Sequence, residues 1–330
     1  NTHTDLSDEL YREGKLVSDN YKNILRSQTN AAAIPAEVTV RYGVTVRRAN
    51  LRNLPTGEGL FFYASDRNFD ALQETALDPG EAVAILHTST NGYFYYVQAY
   101  NYRGWLSKFD VAETDRSTWL RYAEPKNFLT VVAKDHTLKA DGAQVLFQQG
   151  ARLQLADKKA SAYTVKVPVR TKEGKLQEEK VVLAANASLH EGYLPYTTNN
   201  IIRSAFKFYD SVYGWGGLQQ SVDCSSFISN AYRTVGIFLP RNADEQETSA
   251  GIHKKMGNMN SAQRANVIKG LTPGSTLHMD GHVMLYLGSS NEIPYAIHSL
   301  GSHYTGGTRH SVMKVVVSDL NLQKSNGNTY

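Results

Sequence analysis

The chain has 330 residues, of which 41% are hydrophobic and 20% charged, and it contains one cysteine. This composition excludes wholesale disorder, and no apolar run reaches the ~20 residues that a membrane-spanning helix needs. The formal net charge of +4 is mild and Lys and Arg are not concentrated, so a nucleic-acid partner is not indicated. A single cysteine also excludes an internal disulfide.

Two or three domains are expected at this length, preceded by an N-terminal arm over residues 1–36. An amphipathic stretch at 6–25 and an Ala-rich connection at 31–36 predict a helical or extended arm that packs on another domain. A partly ordered tail is the alternative. The chain begins at Asn1 rather than Met, which is compatible with the removal of an export signal or a lipid-anchor segment.

Residues 37–115 contain short β-type runs separated by Gly, Asn, Asp and Pro, which predict a small barrel. The runs are 38–46, 50–54, 82–86, 93–99 and 104–106. The phrases Ala49-Asn50-Leu51-Arg52, Pro79-Gly80-Glu81 and Arg103-Gly104-Trp105-Leu106 resemble those of bacterial SH3 (SH3b) domains. Such domains commonly accompany cell-wall hydrolases.

Residues 116–192 again alternate strand-like runs with turns, and Lys172-Glu173-Gly174-Lys175 has the composition of a hairpin turn. The runs are 130–133, 152–155, 163–167 and 180–183. We expect a second SH3-like barrel here, although few SH3b motifs are present.

Residues 193–330 follow a helix-then-sheet order that predicts an α+β domain. Apolar residues at helical spacing predict a helix over 201–212 that is capped by Asn199 or Asn200, and a second short helix is predicted over 261–269. The segment 309–317 is expected to close the sheet.

The only cysteine, Cys224, follows an irregular loop of aromatic residues and glycines at 213–217. Asp223 precedes it, and apolar residues then recur at helical spacing as far as Gly236, which predicts a helix that starts near the thiol. Backbone N–H groups and the helix dipole at that position favour a thiolate, so we expect a lowered pKa and a nucleophile. The alternative is a small buried apolar side chain.

Two histidines lie in adjacent segments that alternate with a period near two. His282 lies in 281–288 and His298 in 294–299, and a turn at 289–291 separates them. A lone strand histidine is usually structural, but two on neighbouring strands after a helix-capped cysteine favour a catalytic set.

The order of these motifs resembles that of NlpC/P60 cysteine peptidases over roughly residues 195–330. The motifs are Tyr213-Gly214-Trp215-Gly216-Gly217, Asp223-Cys224-Ser225-Ser226-Phe227, Leu239-Pro240-Arg241 with Gln246, Gly281-His282-Val283, and His298. The resemblance implies an α+β papain-like fold with Cys224 as nucleophile, His282 as general base and acid, and His298 as the group that orients His282. It implies no cofactor.

The resemblance also implies a set of substrate contacts: Asp223, Ser225, Trp215, Tyr102, Glu74 and Asn242. Asp223 either caps the helix only or also binds a substrate ammonium. In relatives with an SH3b domain, a tyrosine and an acidic residue of the barrel hold the free amino end of the stem peptide. The corresponding residues here are Tyr102 and, with an uncertain register, Glu74.

The chain departs from this pattern after Leu-Pro-Arg, where some relatives carry an acidic residue and this chain has Asn242. An amide contributes no charge, so an ammonium would be held more weakly unless Asp244 compensates. This difference puts a strict requirement for a free N-terminal L-alanine in doubt.

His278 and His282 have the i, i+4 spacing of zinc ligands on a helix. The segment has the pattern of a strand, so the two histidines would not share a helical face, and we expect no metal.

The leading hypothesis is an exported cysteine endopeptidase of the periplasm or cell envelope that hydrolyses peptidoglycan or muropeptide stem peptides. The resemblance favours the bond between γ-D-glutamate and the diamino acid. Two alternatives stay open: a non-catalytic wall-binding protein, because β-rich segments make up nearly half of the chain, and an acyltransferase that uses the same thiol.

Overall fold

The computed structural model describes residues 6–249 and 251–327, and the chain divides into two units. The first unit contains Asn1–Val131, Asp135–Gly192 and Trp215–Leu218, and the second contains Val132–Lys134, Tyr193–Gly214 and Gln219–Tyr330. In the part of the chain that the structure describes, no helix is long and apolar enough to cross a membrane.

The N-terminal arm begins with a small hairpin and continues as a helix. Strands β1 (Tyr11–Arg12) and β2 (Lys15–Leu16) pair across a turn in which Glu13 and Gly14 have positive φ, and helix α1 spans Asp19–Gln28. The amphipathic stretch at 6–25 is therefore divided rather than one helix. Its apolar side chains share one buried cluster with residues of the first barrel region. The cluster contains Leu6, Leu10, Val17, Leu25, Leu60 and Leu72. The predicted arm starts at residue 1, and residues 1–5 lie outside the described residues.

The first barrel region forms a seven-stranded antiparallel sheet with the order β5-β4-β8-β7-β6-β3-β9. Its strands are β3 (Arg41–Thr45), β4 (Ala49–Arg52), β5 (Gln73–Leu77), β6 (Ala82–Thr88), β7 (Phe94–Gln98), β8 (Arg103–Ser107) and β9 (Val111–Thr114). Alternate side chains of these strands form a core that includes Leu51, Val83, Val97 and Leu106. The sequence pattern missed β5 and β9, which are the two edge strands of this sheet.

The segment 116–192 begins with a helix that the sequence analysis did not predict, α2 (Arg116–Ala123), capped by Asp115. A five-stranded antiparallel sheet of order β15-β14-β13-β10-β16 and a separate β11–β12 hairpin follow. The strands are β10 (Phe128–Val131), β11 (Asp135–Ala140), β12 (Ala143–Gln148), β13 (Arg152–Lys159), β14 (Ala162–Arg170), β15 (Leu176–Ala184) and β16 (Leu189–Glu191). Strands β14 and β15 pair on either side of the predicted turn at 172–175.

The second unit packs helices against a four-stranded antiparallel sheet. Its helices are α3 (Thr198–Phe206), α4 (Cys224–Arg233), α5 (Ala243–Glu247) and α6 (Ser261–Lys269). Its sheet has the order β17-β18-β19-β20, with β17 (Thr276–Met279), β18 (His282–Ser290), β19 (Ile293–Thr305) and β20 (Thr308–Asp319). The core between them includes Phe208, Phe227, Ile228, Val283 and Ile297. The N-cap of α3 is Thr197 rather than Asn199 or Asn200, because the Thr197 hydroxyl accepts the Asn200 N–H at 3.2 Å.

Candidate active site

Helix α4 places Cys224 at its first position. Asp223 is the N-cap, and its Oδ1 accepts the Ser226 N–H at 2.9 Å, while the Ser226 hydroxyl accepts the Asp223 N–H at 2.9 Å. This reciprocal capping box stabilises the first turn of the helix and fixes the backbone that carries the thiol. The Cys224 side chain is half-buried.

The Asp223 carboxylate is committed to Arg241, the last residue of the Leu-Pro-Arg motif. Asp223 is 4% exposed and Arg241 6%, and Nη2 of the arginine lies 2.5 Å from Oδ2 of the aspartate. Nη1 of Arg241 also donates to the Ser225 hydroxyl at 2.7 Å. Burial opposes ionisation of Asp223, but the charge and hydrogen bonds of Arg241 and the hydrogen bonds of Ser226 outweigh it, so the pKa of Asp223 is lowered. The capping role predicted for Asp223 is therefore accompanied by a buried ion pair.

Gln246 of α5 ties this network to the start of α4. Its Nε2 donates to the Ser225 carbonyl at 3.1 Å, to the Ser229 hydroxyl at 3.0 Å and to the Pro240 carbonyl at 2.9 Å. The side chain is buried, so Gln246 positions the Leu-Pro-Arg segment against the cysteine helix.

The two histidines contact each other on neighbouring strands. His282 is the first residue of β18, and His298 lies in the middle of β19. His282 Nε2 lies 2.7 Å from His298 Nδ1, and His298 Nε2 lies 3.0 Å from the Ser318 Oγ. His298 is fully buried and His282 is 9% exposed. Because Nε2 of His282 is engaged with His298, the other ring nitrogen, Nδ1, is the atom through which His282 would exchange a proton with a thiol.

Burial controls the charge of all three groups. It lowers the pKa of His282 to about 4 and, together with the proximity of His282, lowers the pKa of His298 to about 3. Burial and the charge of Asp223 raise the pKa of Cys224 to about 12, although N–H groups of Val283 and Ser225 act in the opposite direction. The lowered thiol pKa expected from the helix terminus is thus wrong, because the loss of hydration outweighs the effect of the helix terminus.

A cavity of about 270 Å³ opens onto the thiol and is lined by both Cys224 and His282. Residues 279–281 form one part of its wall, residues 300–302 with Tyr304 form another, and Lys324 and Ser325 of the C-terminal segment complete it. The C-terminal segment is attached to the sheet there, because the Tyr304 N–H donates to the Gln323 carbonyl at 2.9 Å. The Cys224 thiol and the His282 imidazole therefore face one space that is large enough for part of a peptide.

Tyr213 also lines this cavity and is 7% exposed. Its pKa is raised well above the usual value by burial and by the nearby Asp223 and Cys224. Its phenol consequently stays protonated at neutral pH and can donate a hydrogen bond beside the thiol. Tyr213 belongs to the motif at 213–217, and no role was predicted for its side chain.

The glycine loop that precedes Cys224 packs within the first unit. Trp215 Nε1 donates to the Asp70 carbonyl at 3.1 Å, and the indole meets Phe69 edge-on at 5.6 Å between ring centroids. Gly216 and Gly217 have φ of +56° and +80°, and a Cβ at Gly217 would lie 2.8 Å from Cβ of Ala76. The motif Trp-Gly-Gly thus meets a backbone and packing requirement, and the substrate contact expected of Trp215 stays a prediction.

Tyr102 and Glu74, which the resemblance pairs, do meet within the first unit. The Tyr102 hydroxyl donates to Oε2 of Glu74 at 2.5 Å, and Tyr102 is 8% exposed. Asn242 is the N-cap of α5, and its backbone N–H donates to Oε2 of Glu245 at 3.4 Å. Its side chain carries no charge, and Asp244 is exposed on the same helix.

His278 lies on β17 opposite Val283 of β18, so it does not share a helical face with His282. Its Nε2 is 2.9 Å from Oγ1 of Thr276. Within residues 6–249 and 251–327, no group of three or more His, Cys, Asp or Glu side chains is arranged to hold a metal ion.

Two polar residues of the site escaped the sequence analysis. Ser318, the partner of His298, sits on β20, and only the strand register reveals that it reaches the histidine. Lys324 lines the cavity from a segment without a motif. Arg241 was quoted as part of Leu-Pro-Arg, but it lies 18 residues from Asp223, so no local signal in the sequence predicted their ion pair.

Two family models match parts of the chain. Residues 60–107 match the family model of the SH3 domain (SH3b1 type), and residues 210–314 match that of the NlpC/P60 family. The SH3 match confirms the SH3b resemblance of the first barrel region, and it does not extend to 116–192. No curated protein matches the chain.

Two solved structures share the fold over most of the chain. One is described as a novel NlpC/P60 endopeptidase from Photobacterium damselae subsp. piscicida, with 21% identity, a TM-score of 0.77 and coverage of 93% of this chain and 72% of that one. The other is an NlpC/P60 family protein from Bacillus cereus ATCC 10987, with 16% identity, a TM-score of 0.61 and coverage of 87% and 97% respectively.

Proposed function

This chain combines an SH3b domain with an NlpC/P60 domain, and from that premise we propose that it is an exported cysteine endopeptidase that hydrolyses peptidoglycan stem peptides. The observation that carries the proposal is the shared cavity of Cys224 and His282, with His298 2.7 Å behind His282. We place the protein in the periplasm or cell envelope, where such a substrate occurs. We also propose three domains, with the limits 37–115, 116–192 and 193–330. The middle one is proposed to be a second SH3-like barrel.

The reaction follows from the positions of these groups. Cys224 Sγ attacks the scissile carbonyl while its proton passes to Nδ1 of His282, and the imidazolium then returns that proton to the leaving amine. The Cys224 N–H at the start of α4 and the Tyr213 hydroxyl are suited to donate to the developing oxyanion. Water then attacks the thioester with His282 as base and releases the carboxylic acid.

The proposed scissile bond joins γ-D-glutamate to the diamino acid. The cavity wall carries one acid, Asp280, and one cation, Lys324, and neither forms a salt bridge within residues 6–249 and 251–327. A diamino acid side chain that ends in both an ammonium and a carboxylate has the complementary charges. The support for this bond is therefore complementarity of charge. Exposed charges contribute modestly to affinity and more to selection between substrates.

The test is to incubate the protein and its Cys224→Ala variant with defined tripeptide and tetrapeptide stems, and to identify the products by mass spectrometry. We expect wild-type protein to release the N-terminal dipeptide and the variant to release none. Equal cleavage by both proteins, or by neither, would count against a thiol peptidase.

Two alternatives use the same assay. A non-catalytic wall-binding protein would bind insoluble peptidoglycan without product release and without sensitivity to thiol alkylation. An acyltransferase would convert the thioester to an amide when an amine acceptor is added, which appears as a new mass in the product spectrum.

A further inference from the structure

His298 has its two ring nitrogens between two partners. The side chain is fully buried, with Nδ1 2.7 Å from His282 Nε2 and Nε2 3.0 Å from the Ser318 Oγ. Ser318 reaches this position because His298 is paired with Val316 across the β19–β20 ladder, and Ser318 follows two residues later on the same face. The three side chains therefore form a short hydrogen-bonded chain from β20 to the cavity.

The direction of that chain decides whether His282 can act as a base. A neutral imidazole has one N–H donor and one acceptor nitrogen. If Ser318 donates to His298, then His298 Nδ1–H donates to His282 Nε2, and the proton of His282 lies on Nδ1. That tautomer has no lone pair on Nδ1 to take a thiol proton.

In the opposite direction the site is competent. His282 Nε2–H donates to His298 Nδ1, His298 Nε2–H donates to the Ser318 oxygen, and Nδ1 of His282 carries a lone pair. When Nδ1 accepts the thiol proton, the same two hydrogen bonds stabilise the imidazolium without any rearrangement. Ser318 is half-buried, so solvent can accept its hydroxyl proton while its oxygen accepts from His298.

We propose that Ser318 is a positioning residue: it accepts the His298 Nε2–H and thereby keeps His282 in the tautomer that can deprotonate Cys224. The proposal rests on the proposed peptidase function for its catalytic consequence. Its structural content, the tautomer of two histidines, is independent of which substrate the protein cleaves.

The first experiment reads the tautomers directly. The full chain with Cys224→Ala is labelled with ¹⁵N-histidine, and the imidazole nitrogens are compared in variants that retain Ser318 or carry Ser318→Ala, Ser318→Val or Ser318→Thr. We expect His282 to be protonated at Nε2 with Ser318 or Thr, and a substantial Nδ1–H population with Ala or Val. Protonation of His282 at Nδ1 when Ser318 is present, or identical spectra in all four proteins, would refute the proposal.

The second experiment reads the consequence for turnover. With Cys224 present, Ser318→Ala is expected to lower kcat on a cleaved stem peptide roughly 5-fold with little change in KM, since the loss of one net hydrogen bond raises the barrier by about 1 kcal/mol. Ser318→Thr should restore activity to within about 2-fold. Ser311→Ala, an exposed serine on the same strand, is the matched control and should have no effect.

These outcomes separate the two claims. If the tautomers shift as expected but no stem peptide is cleaved by wild-type protein, the positioning role stands and the peptidase proposal fails. If wild-type protein cleaves stem peptides and Ser318→Thr is as impaired as Ser318→Ala, the positioning role fails and the peptidase stands.

Discussion

At the scale of single residues, two opposing effects determine the charge of Cys224. The start of α4 favours a thiolate by up to ~2 kcal/mol, but burial of a thiol penalises the charged form by more than that. The result is a pKa raised to about 12 beside a histidine whose pKa is lowered to about 4. The resting site therefore holds a neutral thiol and a neutral imidazole.

This charge state predicts the pH dependence of thiol alkylation. The thiolate fraction rises about tenfold per pH unit below the pKa, so the rate of reaction of the free protein with iodoacetamide should rise steadily from pH 6 to pH 9. The rate is followed by intact-mass spectrometry, with Cys224→Ala as the unreactive control. A plateau that is already reached at pH 6 would mean that a thiolate–imidazolium pair forms in the protein without substrate.

The buried pair of Asp223 and Arg241 predicts a stability effect. Asp223→Ala leaves the Arg241 guanidinium uncompensated, which should destabilise the second unit by ~3–5 kcal/mol. The matched control is Asp210→Asn, which breaks the exposed ion pair with Lys314 and should cost less than ~1 kcal/mol. Urea denaturation followed by far-UV circular dichroism measures the stability of both variants. Equal unfolding midpoints for the two variants would contradict a special role of the buried ion pair.

The ion pair of Asp223 and Arg241 should also make the stability of the protein depend on pH in the acid range. Since the pKa of Asp223 is lower in the folded protein than in the unfolded chain, its contribution is complete above the unfolded value of about 4 and is lost as the pH falls through the folded value. The difference in the free energy of unfolding between the wild-type protein and the Asp223→Ala variant should therefore become smaller as the pH is lowered below 4.

At the scale of elements, the loop before α4 depends on two glycines with positive φ. Gly217→Ala would place a Cβ 2.8 Å from Cβ of Ala76 and force a residue with φ of +80° into a disfavoured region. We expect a loss of several kcal/mol, or a displaced loop, measured as a lower melting temperature. Gly57→Ala, where a Cβ would meet no atom within 4 Å, should change the melting temperature little.

Lys324, the cation of the cavity wall, is expected to select between stem peptides that differ in their diamino acid. Lys324→Met removes the cation of the cavity wall and should lower kcat/KM for stems with meso-diaminopimelate by about 3- to 10-fold, while stems with L-lysine, which lack the second carboxylate, should be cleaved as before. Lys255→Met, at an exposed position, is the control. A uniform loss on both stems would point to a disturbed segment rather than to charge recognition.

Local patterns predicted most of the elements that position the site, and they failed where a longer-range contact decides. Apolar spacing and the acidic cap placed the start of α4 at Cys224, and period-two alternation placed both histidines on paired strands. The edge strands β5 and β9 were missed because their sequences do not alternate apolar with polar residues: β5 buries the polar side chains of Gln73 and Thr75, and β9 buries two adjacent residues, Val111 and Ala112. The helix predicted over 201–212 ends at Phe206, and the backbones of Asp210, Ser211 and Tyr213 hydrogen-bond to β20 instead.

The site itself divides along the same line. Cys224, His282 and His298 were singled out from motifs and their catalytic roles stay predictions, whereas the Arg241 partner of Asp223 and the Ser318 partner of His298 depend on tertiary pairing. The charge of the thiol was predicted in the wrong direction, because a sequence shows the helix terminus but not the depth of burial.

At the scale of the whole molecule, the resemblance to NlpC/P60 peptidases with an SH3b domain implies a substrate-binding role for the first barrel region, and we propose Tyr102 and Glu74 for that role. The Tyr102 hydroxyl and Glu74 carboxylate form a hydrogen-bonded pair with one negative charge, which suits a substrate ammonium. Asn242 offers no charge of its own, so this pair is expected to supply much of the preference for a free amino terminus.

Two variants, Glu74→Gln and Tyr102→Phe, test whether this pair binds the substrate ammonium. We expect each to lower kcat/KM about 10-fold for stems with a free N-terminal L-alanine and to leave N-acylated stems unchanged, because only the former carry an ammonium for Glu74 to bind. Competition between the two stems in one reaction, followed by mass spectrometry, gives the ratio directly. Tyr63→Phe, at a tyrosine that is 71% exposed, is the control. An equal loss on both stems would assign the pair a structural role within its own barrel, and recognition of the amino terminus would then have to come from the second unit.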